Sequence, residues 1–236
     1  MKKTKWVLLV ALLAVFACKK DETRQPDESY NPQIDPADFT NSANLTNLYF
    51  QFQAGKKYIY EGQTEDGLEH IEVQLLSATK TVMGVTCAVV NDKVWLDGNL
   101  IEDTDDWYAQ DNNGNVWYMG EEVDNFNPDG TLRDHDGAWE AGVDGAKPGL
   151  IMLANPQPGM KYRQEYYFDV AEDQAEVLEL GLTLSVPFGT FANCLKIKEW
   201  TELEPDVLDN KFYAPGIGLI REVNQDNEEI ALIAIQ

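Results

Sequence analysis

The chain has 236 residues, with 41 Asp and Glu against 18 Lys and Arg and a formal net charge of −23. A field of that sign repels phosphate backbones and anionic headgroups, which excludes nucleic acid as a partner. The length fits one domain behind a leader and a polar segment, and the acid excess reads first as a solvated surface.

Residues 1–17 carry Lys2, Lys3 and Lys5 ahead of an apolar run over residues 6–17. That run is too short for a bilayer core needing about 20 residues, so the layout is that of a cleaved lipoprotein signal peptide. Val15-Phe16-Ala17-Cys18 has the form of a bacterial lipobox, in which Cys18 is acylated and becomes the mature N-terminus. Lys20-Asp21-Glu22 resembles the acidic export tag of surface lipoproteins of Bacteroidetes-type bacteria. More than one acyl chain holds a protein on a membrane where a single chain does not. The expectation is an outer-membrane lipoprotein, with either face of that membrane open. Residues 18–47 are polar and include Pro26, Pro32 and Pro36, the composition of a lipid-anchored flexible tether. Residues 48–236 are expected to form a single β domain.

From Lys57 onward apolar and polar residues alternate between turn dipeptides. KYIYEGQ runs to Asp66-Gly67, EHIEVQLLSATKTV to Met83-Gly84, VTCAVVNDKVWL to Asp97-Gly98 and LIEDTDDWYAQD to Asn113-Gly114. Such dipeptides between alternating runs are strong hairpin signals. Residues 124–149, rich in Gly, Asp and Pro, read as a loop. LIML, KYRQEYYFDV, EVLELGLTLSV, CLKIKEW, NKFYAPG, IGLIREV and EIALIAI continue the alternation, and the best helix-period stretch is residues 170–180. Roughly a dozen short strands must curl, close or split. The fold class is therefore all-β: a large curved antiparallel meander forming an open or closed barrel-like shell, with a two-layer β-sandwich as the alternative.

The hairpin DWYAQDNNGNVWYMGE, residues 106–121, carries large rings on both faces. A two-residue turn at Asn113-Gly114 would put Tyr108, Trp117 and Met119 on one face and Trp107 and Tyr118 on the other. Two apolar faces need two covers: a second layer, a packed loop or a bound ligand. Tyr108, Trp117, Met119, Trp107 and Tyr118, with Trp139 from the loop, are thus the candidate ligand-binding residues. Plain packing under residues 124–149 is the competing reading.

That string, followed by GAWEAGVDGAKPGLIMLANPQPGMKYRQEYY, FANCLKIKEWTELEP and KFYAPGIGLIREV, resembles an uncharacterised family of secreted bacterial proteins, many of them lipoproteins. The resemblance spans residues 58–223 in order and spacing. It implies a β-rich exported domain and no reaction. The Y-A-P-G-x-G-L-x element at residues 213–220 is also similar to the closing strands of periplasmic half-barrel lipoproteins that carry lipid or lipoprotein cargo. Gly216 and Gly218 read as a bulge or tight bend.

Catalytic signals are few. His70 and His135 lie beside no nucleophile element such as G-x-S-x-G and read as solvent-facing. No Cys/His spacing suits zinc. Calcium is the one metal with candidates, Asp129, Asp134 and Asp136 in a Gly-rich loop and Glu102, Asp103, Asp105 and Asp106 along one strand, but no EF-hand pattern can be laid on either cluster. No cofactor is expected. Cys87 and Cys194 are either a disulfide or buried free thiols. The leading expectation is a non-enzymatic envelope lipoprotein binding an apolar or amphipathic ligand, with membrane contact through its acyl chains. The alternatives are a carbohydrate-binding or carbohydrate-processing surface lipoprotein using Trp107, Trp117 and Trp139, and a ligand-free scaffold.

Overall fold

The structure, a computed structural model, describes residues 24–236. The signal peptide, Cys18 and the Lys20-Asp21-Glu22 tag lie outside the described residues. Apart from a single 3-10 turn at Pro36–Asp38, the regular elements described are strands: β1 Lys57–Gln63, β2 Leu68–Val82, β3 Val85–Leu96, β4 Asn99–Gln110, β5 Val116–Phe126, β6 Leu132–Asp134, β7 Trp139–Glu140, β8 Lys147–Met152, β9 Lys161–Arg163, β10 Glu165–Tyr166, β11 Asp173–Val186, β12 Gly189–Thr201, β13 Leu208–Ala214, β14 Gly218–Asn224 and β15 Glu229–Ile235. Residues 173–180 therefore open a strand, and the 124–149 loop contributes two short strands that pair with β5.

All 15 strands belong to one antiparallel sheet with the order β10-β8-β5-β4-β3-β2-β1-β15-β14-β13-β12-β11-β9. The two ends of that order are consecutive in sequence. β9 pairs with β11 and β10 pairs with β8, so the chain changes partner at Gln164 and draws the sheet into a nearly closed barrel. A two-layer sandwich is not formed. The seam is tight: a Cβ on Gly149 of β8 would lie 2.3 Å from the Gln164 carbonyl carbon.

The turn dipeptides set most of the registers. Met83 and Gly84 have φ of 49° and 80°, and Asp97 and Gly98 have 49° and 81°. Two successive left-handed residues make the tight turn whose twist matches that of the flanking strands. Asn113-Gly114 behaves differently. The Asp111 carboxylate accepts the backbone N–H groups of Asn113 and Asn115 and the Asn115 side-chain amide, each at 2.9 Å, and the Trp117 indole N–H at 3.1 Å. This stabilises a longer loop over residues 111–115, so Gln110 pairs with Val116, Ala109 with Trp117 and Tyr108 with Tyr118. A register change of one residue moves side chains to the other face. The expected grouping of Tyr108 with Trp117 and Met119 is thereby corrected: Tyr108 and Tyr118 share the inner face.

Residues 24–47 are not a free tether. Phe39 and Leu45 of this segment are buried in the core, as are Tyr49 and Phe50 just beyond it. Phe39 meets Trp117 edge-on at 6.4 Å, and Phe50 meets Tyr108 at 4.8 Å and Phe52 at 5.5 Å. Backbone bonds fix the segment too, with the Gln110 side chain accepting the N–H groups of Thr46 and Asn47 and Leu48 O accepting Gly216 N–H. The polar stretch carries enough rings near its end to floor the barrel, and these outweigh its composition. At the opposite end Arg24 forms ion pairs with Asp169, at 3.2 Å, and Glu172. The tip of the β11–β12 hairpin folds over the floor, where Phe188 N–H donates to Leu232 O at 3.1 Å. Bulges in the β11–β12 pairing permit the bend.

Cys87 on β3 and Cys194 on β12 are free and buried, on strands that are not neighbours. The disulfide is thus excluded in this structure.

Candidate binding interior

Strand alternation assembles the inner wall. On β2, Glu69 shares a face with Ile71 and Val73, and on β3 Asp92 shares one with Val90 and Val94. Cross-strand pairing carries that face around the ring: Val94 sits opposite Glu102, Asp92 opposite Thr104, Val90 opposite Asp106, and Asp106 opposite Glu121. On the far side Ile197 is opposite Lys211 and Lys211 opposite Glu222. Glu165 of β10, Asp173 of β11, Glu199 of β12 and Asp209 of β13 join the same electrostatic network. A belt of carboxylates therefore runs round the inside of the barrel, and part of the acid excess expected on the surface is buried instead.

Burial governs the chemistry of this belt. It pushes Glu69 up to about 8, Asp106 to about 7, Asp209 to about 7 and Asp173 to about 6. Burial, with neighbouring acids adding to it, holds Asp92, Glu102, Glu121 and Glu165 well above the carboxylate range. Burial likewise raises Glu222, against the pull of Lys211. The Lys211 ammonium is disfavoured by burial, but Glu199 at 2.6 Å and Glu222 at 3.9 Å more than restore its proton.

Some oxygens of the belt are satisfied. Tyr118 donates to Asp106 at 2.5 Å, Thr104 to Glu102 Oε1 at 3.0 Å, the Trp139 indole to Glu121 Oε1 at 3.1 Å and the Gln164 amide to Glu199 Oε1 at 2.8 Å. Others are not: Glu69 Oε1, Asp92 Oδ1, Glu102 Oε2, Glu121 Oε2 and both oxygens of Glu222 have no hydrogen-bond donor.

The six aromatic and Met candidates divide. Tyr108 stacks on Tyr118 at 4.9 Å and Tyr118 meets Trp139 at 5.3 Å, all three on the inner side with Glu121 and Asp106. Trp107, Trp117 and Met119 belong to the outer side. The Lys80 ammonium lies 4.4 Å over Trp107, Phe39 covers Trp117, and a bulge sets Met119 and Gly120 opposite Trp107. The loop acids are engaged locally: Asp129 accepts from Thr131, and Asp134 from Arg133 and Asn125. Among the described residues no group of three or more His, Cys, Asp and Glu is placed to hold a metal ion. A cleft of about 300 Å³ beside them, lined by Leu100, Phe126, Pro128 and Asp129, lies outside the barrel.

The belt has a sequence signal that strand-by-strand reading passes over. Asp92 interrupts Val90 and Val94, and Glu222 interrupts Ile220 and Asn224, each in the parity of buried residues.

No family model and no curated protein matches the chain. A solved structure aligns with it. That chain, from Parabacteroides distasonis and provisionally described as a lipoprotein, is 15% identical, with 80% of this chain and 99% of its own covered at a TM-score of 0.45. At that similarity the alignment carries no argument, and the interior is read from its own geometry.

Proposed function

We propose that the chain is an exported envelope protein held on the outer membrane by acyl chains on Cys18, and that its barrel is a non-enzymatic binding module for an amphipathic ligand. The anchor is supported by the basic start, the short apolar run and Cys18 in register behind Ala17. The binding role rests on one observation: the inner wall is divided between rings at the floor and donor-starved carboxylates beyond them. Phe50, Phe52, Tyr58, Tyr108 and Tyr118 suit an apolar portion, and the belt suits a polar one. Folding alone does not favour such a wall, because a buried acid whose oxygen has no hydrogen-bond partner destabilises the native state.

Neither histidine faces the belt. His70 pairs with Glu61 and Glu72 on the outer wall, and His135 with Asp124. Of the platform the carbohydrate reading uses, Trp107 and Trp139 are buried and face different sides, and half-buried Trp117 lies against Phe39.

Native mass spectrometry of the lipidated protein extracted from cells is expected to show mass beyond the acylated chain. Bare protein over repeated preparations would count against a binding role. Cys18→Ala is expected to release the protein from membranes with its melting temperature unchanged, and unaltered fractionation would refute the anchor.

A further inference from the structure

The barrel closes at a thin junction. Elsewhere in the sheet neighbouring strands pair over most of their length, as β2 and β3 do from Glu69 opposite Leu96 to Val82 opposite Val85. β8 and β10 meet only where Glu165 faces Pro148 and Tyr166 faces Lys147. Proline has no N–H to give to a ladder, so this short pairing lacks a donor as well.

Residues 24–30 supply what the junction lacks. On the β8 side the Tyr30 hydroxyl donates to the Pro148 carbonyl at 2.7 Å, and the Lys147 ammonium donates to Tyr30 O at 2.7 Å and to Asp27 O at 3.4 Å. On the other side the Asp27 N–H donates to the Tyr166 hydroxyl of β10, and Arg163 of β9 donates to the Asp27 carboxylate at 3.2 Å. Arg24 holds Asp169 and Glu172, in the turn that leads into β11. The Tyr30 ring meets Tyr166 edge-on at 5.8 Å, and the Arg163 guanidinium lies 4.7 Å from the Tyr166 ring and 5.5 Å from that of Tyr30. One segment thus ties β8 to β9, β10 and the start of β11. It joins no ladder itself and adds no residue to the buried core, so it can leave without disturbing either. Segments with few buried apolar contacts are the first to open in a native protein.

We infer that residues 24–30 are a latch on the barrel: docked, they hold β10 against β8; undocked, they free the segment 161–166 from β8 while the rest of the sheet stays paired. Only residues 19–23 separate the latch from Cys18, so a pull on an acylated Cys18 reaches this junction before any other part of the barrel. The inference goes beyond the binding role and holds whether or not the interior takes a ligand.

The test is hydrogen–deuterium exchange, read by peptide mass, on the full-length lipidated protein in non-ionic detergent. Combining Arg24→Gln with Tyr30→Phe is expected to speed exchange over residues 161–166 by about tenfold or more and to leave residues 68–110 unchanged. Unchanged exchange over residues 161–166 would overturn the latch. Equal acceleration over residues 68–110 would overturn it too, since the segment would then only add to global stability. If the double variant fails to fold, the unaltered protein gives the test in a urea series below its unfolding transition. Residues 24–30 and 161–166 are expected to open together there, at lower urea than residues 68–110. Exchange over residues 161–166 that appears only with global unfolding, or opening of residues 24–30 with 161–166 still protected, would overturn the assignment.

Discussion

Asp111 sets which of the large side chains of β4 and β5 share a face. Its carboxylate gathers four N–H donors from residues 113 to 117 and so replaces a two-residue turn by a longer loop. Asp111→Ala should cost about 2 to 3 kcal/mol in urea unfolding, because it leaves several donors without their acceptor. A change within error would mean that the strands, not this carboxylate, set the register. The two thiols are a second residue-scale case. Burial pushes Cys87 up to about 12 and raises Cys194 as well, so both are expected to resist a thiol reagent until denaturant is added, and reductant should leave the melting temperature unchanged. Rapid labelling of the native protein would contradict that burial. At this scale the sequence was partly legible. Glu69 and Asp92 stand in the apolar parity of their strands, but in Glu102 to Asp106 acids occupy both parities and cannot be sorted without a partner strand.

Among the elements, the strands were readable wherever a dipeptide allowed two left-handed residues, as at Met83-Gly84 and Asp97-Gly98. The closure was not. It depends on residues 161–166 exchanging β11 for β8 at Gln164, a tertiary choice that leaves no periodic trace. Gly149→Ala tests it directly, since the added Cβ would meet the Gln164 backbone at 2.3 to 2.4 Å. A loss of more than about 2 kcal/mol is expected, against a few tenths for a surface glycine. The floor was illegible for another reason: its rings are embedded in a polar stretch whose average composition argues for disorder. Phe39→Ala should cost about 3 to 5 kcal/mol by chemical denaturation, the range for a buried ring leaving a cavity. A tether would lose nothing.

The whole molecule responds to pH through its belt. In the unfolded chain these acids ionise near 4, whereas burial moves Glu69 to about 8, Asp106 and Asp209 to about 7 and Asp173 to about 6. Between those limits the folded state holds more protons than the unfolded one. Their contribution is therefore complete below about pH 4 and is lost as pH rises through the folded values, at up to about 1.4 kcal/mol per pH unit for each group. The melting temperature should be higher at pH 5 than at pH 8 in scanning calorimetry at constant ionic strength. A flat or rising profile would show that the belt is already neutralised.

Arg24 is clamped to Asp169 and Glu172 at the rim farthest from the floor. From an acylated Cys18 to that clamp the backbone can stretch about 20 Å at most. The leash is short, and it leaves from the acidic rim. With Cys18 acylated, the end of the barrel that Arg24 occupies would be held nearer the lipid than the aromatic base. The gap between that rim and the headgroups would be narrow, and in it the protein's own negative field concentrates small cations.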